Sequence, residues 1–193
     1  MPTPQRLILA SASLGRRALL AHAGYQFELQ PSGVDEPPFA GFPGPRAYVQ
    51  HVAWLKAAAV AATVENGIVL AADSVAWQGG EVIGKPADLA DARRILERLG
   101  GTTHELWTGV CLWRKPDDWQ VCWQEASVVA MRRWTAEELG TYLSSGVWEG
   151  KSGAYGIRER DDPYVRLVQG SLSNVIGLPM ESLNRVMRTI PPA

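Results

Sequence analysis

The stretch that decides the fold is RLILASASLGRRALL, Arg6–Leu20. Arg6–Ala10 reads as a short apolar strand. Ser11-Ala12-Ser13 follows, and Ser13 is placed to cap a helix that carries Leu14, Leu19 and Leu20 and closes at Gly24. A strand that turns straight into a helix leaves the first helical N–H groups unpaired and partly positive, a setting that suits an anion. Arg16 and Arg17 lie in the first turn, where a cation opposes the helix dipole. They read equally as solvated arginines behind a plain serine cap or as ligands of an anion such as a triphosphate.

Outward from this segment the chain alternates βα units with hairpins. Residues 31–45 hold five prolines and three glycines and form a loop. Arg46–Val60 reads as a long helix, and Gly67–Ala72 as a buried strand that ends at Asp73. Val75–Ile83 is a hairpin about Gly79-Gly80, and Asp88 caps the helix with Ala92, Ile95, Leu96 and Leu99 on one face. A longer hairpin joins His104–Trp113 to Trp119–Val129. A Thr135/Glu138 capping box, a strand at Tyr164–Val168 and a helix running from Pro179 to Ile190 complete the pattern. The expected class is α/β: a mixed twisted sheet with flanking helices, in one domain spanning residues 1–193.

Composition narrows the partners. The net charge is −1, so phosphate neutralisation by a basic surface is absent and a nucleic-acid-binding module is disfavoured. No apolar run approaches membrane-spanning length, and the N-terminus has no adequate apolar region for a secretory signal, so a cytoplasmic protein is expected. The two cysteines, Cys111 and Cys122, stand symmetrically about KPDD and could meet across a hairpin. In that compartment reduced, half-buried thiols are the expectation. His22, His51 and His104 lack metal-ligand spacing and are read as structural, and the eight tryptophans as packing residues.

Several charged residues stand out. Lys56 falls within the apolar stripe of Val49, Val52, Ala53 and Val60, where it must snorkel, change its pKa or meet an anion. Asp73, at the end of an apolar strand, is either a turn-initiating residue or a carboxylate placed as metal ligand or general base. Lys85 and the proline-flanked pair Asp35-Glu36 are open in the same way. A magnesium ion needs one or two such acids together with substrate phosphates.

In order along the chain stand LASASLGRRALL, VDE, LAADSV, IGKP, GGTTHELWTGV, SGAYGI and SNVIGLPMESL. This series resembles the Maf family of nucleotide pyrophosphatases nearly end to end. The resemblance implies a Maf/ITPase-like fold, with two lobes around a deep cleft, often as a homodimer. It implies hydrolysis of a nucleoside triphosphate to monophosphate and pyrophosphate with Mg²⁺ or Mn²⁺, and no nucleic-acid or membrane partner. Asp73 would be the general base or metal-organising carboxylate and Glu36 a second metal-linked acid. Ser11, Arg16, Arg17, Lys56 and Lys85 would hold the phosphates. Two departures touch the positions linked to substrate choice, which also include Arg16. Ser74 stands where the common branch has threonine, and Arg158-Glu159 where it has glutamine and glycine. The GAYGI context leans toward pyrimidine triphosphates such as dTTP or UTP. The implied role is housecleaning of nucleotide pools, with arrest of cell division alongside it. The alternative is a nucleotide-binding regulator of septum formation with little catalysis.

Overall fold

A computed structural model describes residues 6–157 and 162–190. Its elements are β1 (Leu7–Leu9), α1 (Leu14–His22), β2 (Glu28–Leu29), α2 (Pro45–Ala61), β3 (Gly67–Gln78), β4 (Glu81–Ile83) and α3 (Leu89–Leu99). There follow β5 (Thr103–Lys115), β6 (Gln120–Met131), α4 (Ala136–Ser144), β7 (Val165–Gln169), α5 (Leu172–Ile176) and α6 (Met180–Arg188). The expected caps form: Ser13, Asp88 and the Thr135/Glu138 box each satisfy amides at the start of their helices. The short elements β2 and α5 carry too little periodicity to stand out in the sequence.

Seven strands form one mixed sheet in the order β2-β1-β3-β5-β6-β7, with β4 also on β3. β1 runs parallel to β2 and β3, and the remaining pairs are antiparallel. Alternation along the strands supplies both faces. Leu7, Leu9, Ile68, Leu70 and Leu112 pack with Leu20 of α1 and Leu183 of α6. Ile8, Val69, Ala71 and Cys111 pack against Ala53, Ala57 and Val60 of α2. A separate core joins α3 and α4 to Leu106, Val129, Met131, Tyr155 and Ile157 and makes the second lobe. Among the described residues no helix is long and apolar enough to cross a membrane.

Asp73 does not end its strand, contrary to the reading of the sequence. β3 is 12 residues long and runs through it, because β5 pairs with it continuously from Gly67↔Lys115 to Trp77↔Glu105. What ends is the neighbour on the other edge. β1 covers Ile68–Leu70 and β4 covers Ala76–Gln78, so Ala71–Val75 has no strand on that side. The gap opens the cleft between the lobes.

The cysteines also depart from expectation. Cys111 and Cys122 are direct partners in the β5–β6 ladder, with Cα atoms 4.2 Å apart, and their sulfurs are joined as a disulfide. Their symmetric placement about the hairpin turn brings them together, as the sequence allowed, and the departure is the disulfide where reduced thiols were expected.

Gly109, opposite Asp73, sets the height of α2 above the sheet. A Cβ there would lie 2.2 Å from the Val49 carbonyl oxygen. Gly109→Ala is therefore expected to lift α2 and destabilise the fold by about 1–3 kcal/mol, the usual range for overpacking. Urea unfolding checks the loss, and full stability in the variant would refute the close approach.

Candidate active site

The β1–α1 turn, the α2 face of β3 and the segment Glu149–Ile157 enclose a cleft of about 1030 Å³. Ser11, Arg16, Lys56, Asp73, Ser74 and Lys85 line it. Consecutive strand residues point to opposite faces, so Asp73 turns toward α2 and Ser74 toward α1. The gap in the sheet lets both reach the same space.

On the α2 side Lys56 is buried, and its Nζ donates to Asp73 Oδ1 at 2.8 Å and to Glu36 Oε1 at 2.7 Å. The anion that explains a lysine within an apolar stripe is thus a pair of carboxylates. Lys85 Nζ lies 3.8 Å from Glu36 Oε1 and is half-exposed. The loop carrying Glu36 is clamped by Tyr48 of α2. The Tyr48 hydroxyl donates to the Pro37 carbonyl at 3.1 Å, and its ring meets Phe39 and Phe42 edge-on at 5.4 and 5.2 Å. Burial and the charges of Asp73 and Glu36 push the Tyr48 hydroxyl up to about 12, so it remains a donor. Burial raises the Glu36 carboxyl, but the hydrogen bond from Lys56 and the charges of Lys56, Lys85 and Arg16 outweigh it and hold the group below its ordinary value.

On the α1 side Arg16 is buried, although it stands in the first turn of a helix. Its Nε donates to the Gly177 carbonyl at 2.8 Å, Nη1 to Ser11 Oγ at 3.1 Å and Nη2 to Ser74 Oγ at 3.0 Å. Burial lowers its pKa, and the carboxylates of Asp73 and Glu36 work against that shift. Of five guanidinium N–H groups, these bonds use three and leave two. Ser11 Oγ also accepts from the Ser13 amide at 3.2 Å. Two accepted bonds exhaust its lone pairs, so the Ser11 proton is free to be donated to an oxygen in the cleft. Arg17 points away. Neighbouring helical residues lie about 100° apart, and Arg17 is exposed and not among the residues lining the cleft. Arg158 lies outside the described residues.

The far wall comes from the SGAYGI segment. Ser152 Oγ donates to the Ser74 carbonyl at 2.9 Å, and the Gly153 amide to the Gly84 carbonyl at 3.0 Å. Ala154 takes a positive φ of 60°, a strained conformation for a residue with a Cβ. The Tyr155 hydroxyl meets His104 Nε2 at 2.7 Å inside the second lobe. His104 is thus structural, as expected, while His22 lies on the rim of the cleft.

The fit of a divalent metal rests on Asp73. Its Oδ2 is buried and has no hydrogen-bond partner among the described residues. No cluster of three or more His, Cys, Asp and Glu able to hold a metal occurs among them. One orphaned carboxylate oxygen with a second acid nearby matches a hard cation that completes its shell with phosphate oxygens. The residues fit such an ion. Sequence reasoning missed Tyr48, Thr108, Ser152 and Gly177. All except Tyr48 lie in or beside the family-like motifs, but their roles depend on contacts across the fold.

The profile of the Maf family, "Maf-like protein", matches residues 6–190. The chain belongs to the Maf family. A dTTP/UTP pyrophosphatase of Anaeromyxobacter dehalogenans is 43% identical over 185 residues, covering 95% of this chain and 93% of that one. A dTTP/UTP pyrophosphatase of Rhodopirellula baltica is 39% identical over 187 residues, covering 96% and 82%. A solved nucleoside-triphosphatase / dITP/XTP pyrophosphatase of Mycobacterium abscessus, 17% identical, covers 95% of this chain and 94% of its own at a TM-score of 0.45.

Among the acid-sensitive groups of this Maf protein, His104 and Glu36 lie in the second lobe and in the cleft. His104 protonates near 6.5 when unfolded, whereas burial pushes it down to about 4 in the fold. Its stabilising contribution is complete above pH 6.5 and is lost as pH falls toward 4, by up to about 3 kcal/mol. Glu36, depressed below 4.5, acts in the same sense at lower pH. Urea unfolding at pH 7 and 4.5 should show the fall. His104→Gln, which keeps a partner for Tyr155, should flatten it.

Proposed function

We propose that this chain hydrolyses nucleoside triphosphates to the monophosphate and pyrophosphate, with a preference for dTTP and UTP. The observation that carries the reading is the buried, unpartnered Asp73 Oδ2 beside a wall of uncommitted donors. The pyrimidine preference is supported by relatives bearing the name dTTP/UTP pyrophosphatase at about 40% identity over nearly the whole chain.

Asp73 and Glu36 would hold a divalent cation, which when bound neutralises phosphate charge. The two free N–H groups of Arg16, the Ser11 hydroxyl and the Lys85 ammonium bind and orient the triphosphate. Lys56 fixes the Asp73 carboxylate through Oδ1, whose second lone pair takes a proton from water, and leaves Oδ2 for the cation. The water oxygen bonds to the α-phosphorus and the bond from phosphorus to the α–β bridging oxygen breaks. Its electron pair departs with pyrophosphate, and the water proton passes to Asp73. Donors facing the leaving oxygens stabilise the charge that grows there. Arg158 belongs to this reading as a base-side residue, whereas Arg17, which faces away from the cleft, takes no part in it. The family extends it to a cytoplasmic homodimer that clears unwanted nucleotides.

Pyrophosphate release measured over standard and modified triphosphates, with Mg²⁺ and with Mn²⁺, tests the proposal. dTTP and UTP should lead the panel, and a chelator should abolish turnover. Asp73→Asn, which preserves shape, should lower kcat by about 10²–10⁴-fold. Release of orthophosphate instead of pyrophosphate, or an undiminished Asp73→Asn rate, would refute it.

A further inference from the structure

Thr108 of β5 touches no part of the cleft. It is fully buried, with 0% exposure, and is not among the lining residues. Its hydroxyl is nonetheless linked to Arg16, and proton counting fixes the direction of the link. Thr108 has one hydroxyl proton, and it goes to the Asn174 carbonyl at 3.2 Å. Ser74 Oγ lies 2.9 Å from Thr108 Oγ1. With the Thr108 proton committed, Ser74 is the donor in that pair. The Ser74 oxygen then serves as acceptor for Arg16 Nη2 at 3.0 Å. The chain runs one way, from guanidinium to Ser74 to Thr108 to the α5 backbone. It ends where the guanidinium is also gripped, because the Gly177 amide donates to the Asn174 carbonyl and the Gly177 carbonyl accepts from Arg16 Nε.

We propose that Thr108 is a positioning residue for the hydrolysis. Bonded to the Ser74 hydroxyl on one side and the Asn174 carbonyl on the other, it holds Ser74 Oγ in place as the acceptor for the donor-only guanidinium, and so keeps the two uncommitted N–H groups facing the triphosphate. This inference rests on the functional reading above. Each link polarises the next, so losing the far end weakens the near one. Ser74 has a second task in consequence. It orients an arginine, which gives a physical reason for a hydroxyl following the aspartate.

The test is a double-mutant cycle on the full chain with Thr108→Val, Arg16→Ala and their combination, reading pyrophosphate release from dTTP and binding of inorganic triphosphate. Thr108→Val should lower kcat/KM about tenfold, the effect of one lost buried hydrogen bond that leaves the Ser74 hydroxyl without its partner. Thr108→Ser should restore it to within about twofold, since it returns the hydroxyl. In the Arg16→Ala background, Thr108→Val should cost no more than about twofold further. Independent, multiplying losses would overturn the proposal, as would a Thr108→Val enzyme with wild-type kinetics. If Thr108→Val fails to fold, Ser74→Ala breaks the same relay at its middle and enters the cycle in its place. A wild-type protein that releases no pyrophosphate from any triphosphate defeats the functional reading alone. The cycle is then decided on the dissociation constants for inorganic triphosphate.

Discussion

A single ammonium held between two carboxylates organises this protein. Lys56 sits on the buried side of α2, where its own helix offers it nothing but apolar neighbours, and it is satisfied by Asp73 and Glu36. Such an arrangement gives little net stability, but removal of one partner strands the other charges at a cost of about 3–5 kcal/mol. It therefore fixes geometry. α2 must lie close enough for Lys56 to reach β3, the proline-rich loop must fold down to bring Glu36 in, and β3 must run straight through Asp73. Three cations (Lys56, Lys85, Arg16) against two carboxylates (Glu36, Asp73) leave a small positive excess. A triphosphate carries more negative charge than that excess neutralises, so the protein's own cations would leave a bound triphosphate partly uncompensated.

The second constraint is topological. A sheet with a break on one edge of a central strand exposes backbone and side chains that a complete sheet would cover. β1 is short because the chain leaves it to enter the Ser13-capped turn into α1, and β4 is short because it belongs to a tight hairpin. Between their ends β3 is held by β5 alone, and both faces become reachable from one opening. The cleft is thus a property of strand lengths, and the lobes on either side have their own cores.

Much of this was legible in the sequence. The small-residue turn, the caps, the major helices and the long hairpin follow from local propensity and periodicity. The odd placement of Lys56 left snorkelling, a changed pKa and an anion all open, and only the fold supplies the anion, as two carboxylates. Asp73 was found for a partly mistaken reason. An apolar run ending in an acid looks like a strand terminus, but pairing with β5 carries the strand onward. The symmetry of the cysteines about KPDD already allowed them to meet across the hairpin, and only their joining as a disulfide went against the expected reduced thiols. Arg17 shows a different limit. Two adjacent arginines are equivalent to a reader of composition, while a helix turns one inward and the other out. Thr108 was invisible as a participant because its role is defined by protons shared across three segments of chain.

The opposite facing of Asp73 and Ser74 has an evolutionary consequence. Side chains one position apart on a strand share no contacts across the sheet, so the packing of one wall does not constrain the packing of the other, although their charges still feel each other. Changes among the hydroxyls on the α1 side leave the carboxylate–ammonium triad on the α2 side undisturbed. A lineage can exchange one hydroxyl for another on the α1 wall, as serine in place of threonine illustrates, and leave the packing of the α2 wall as it was.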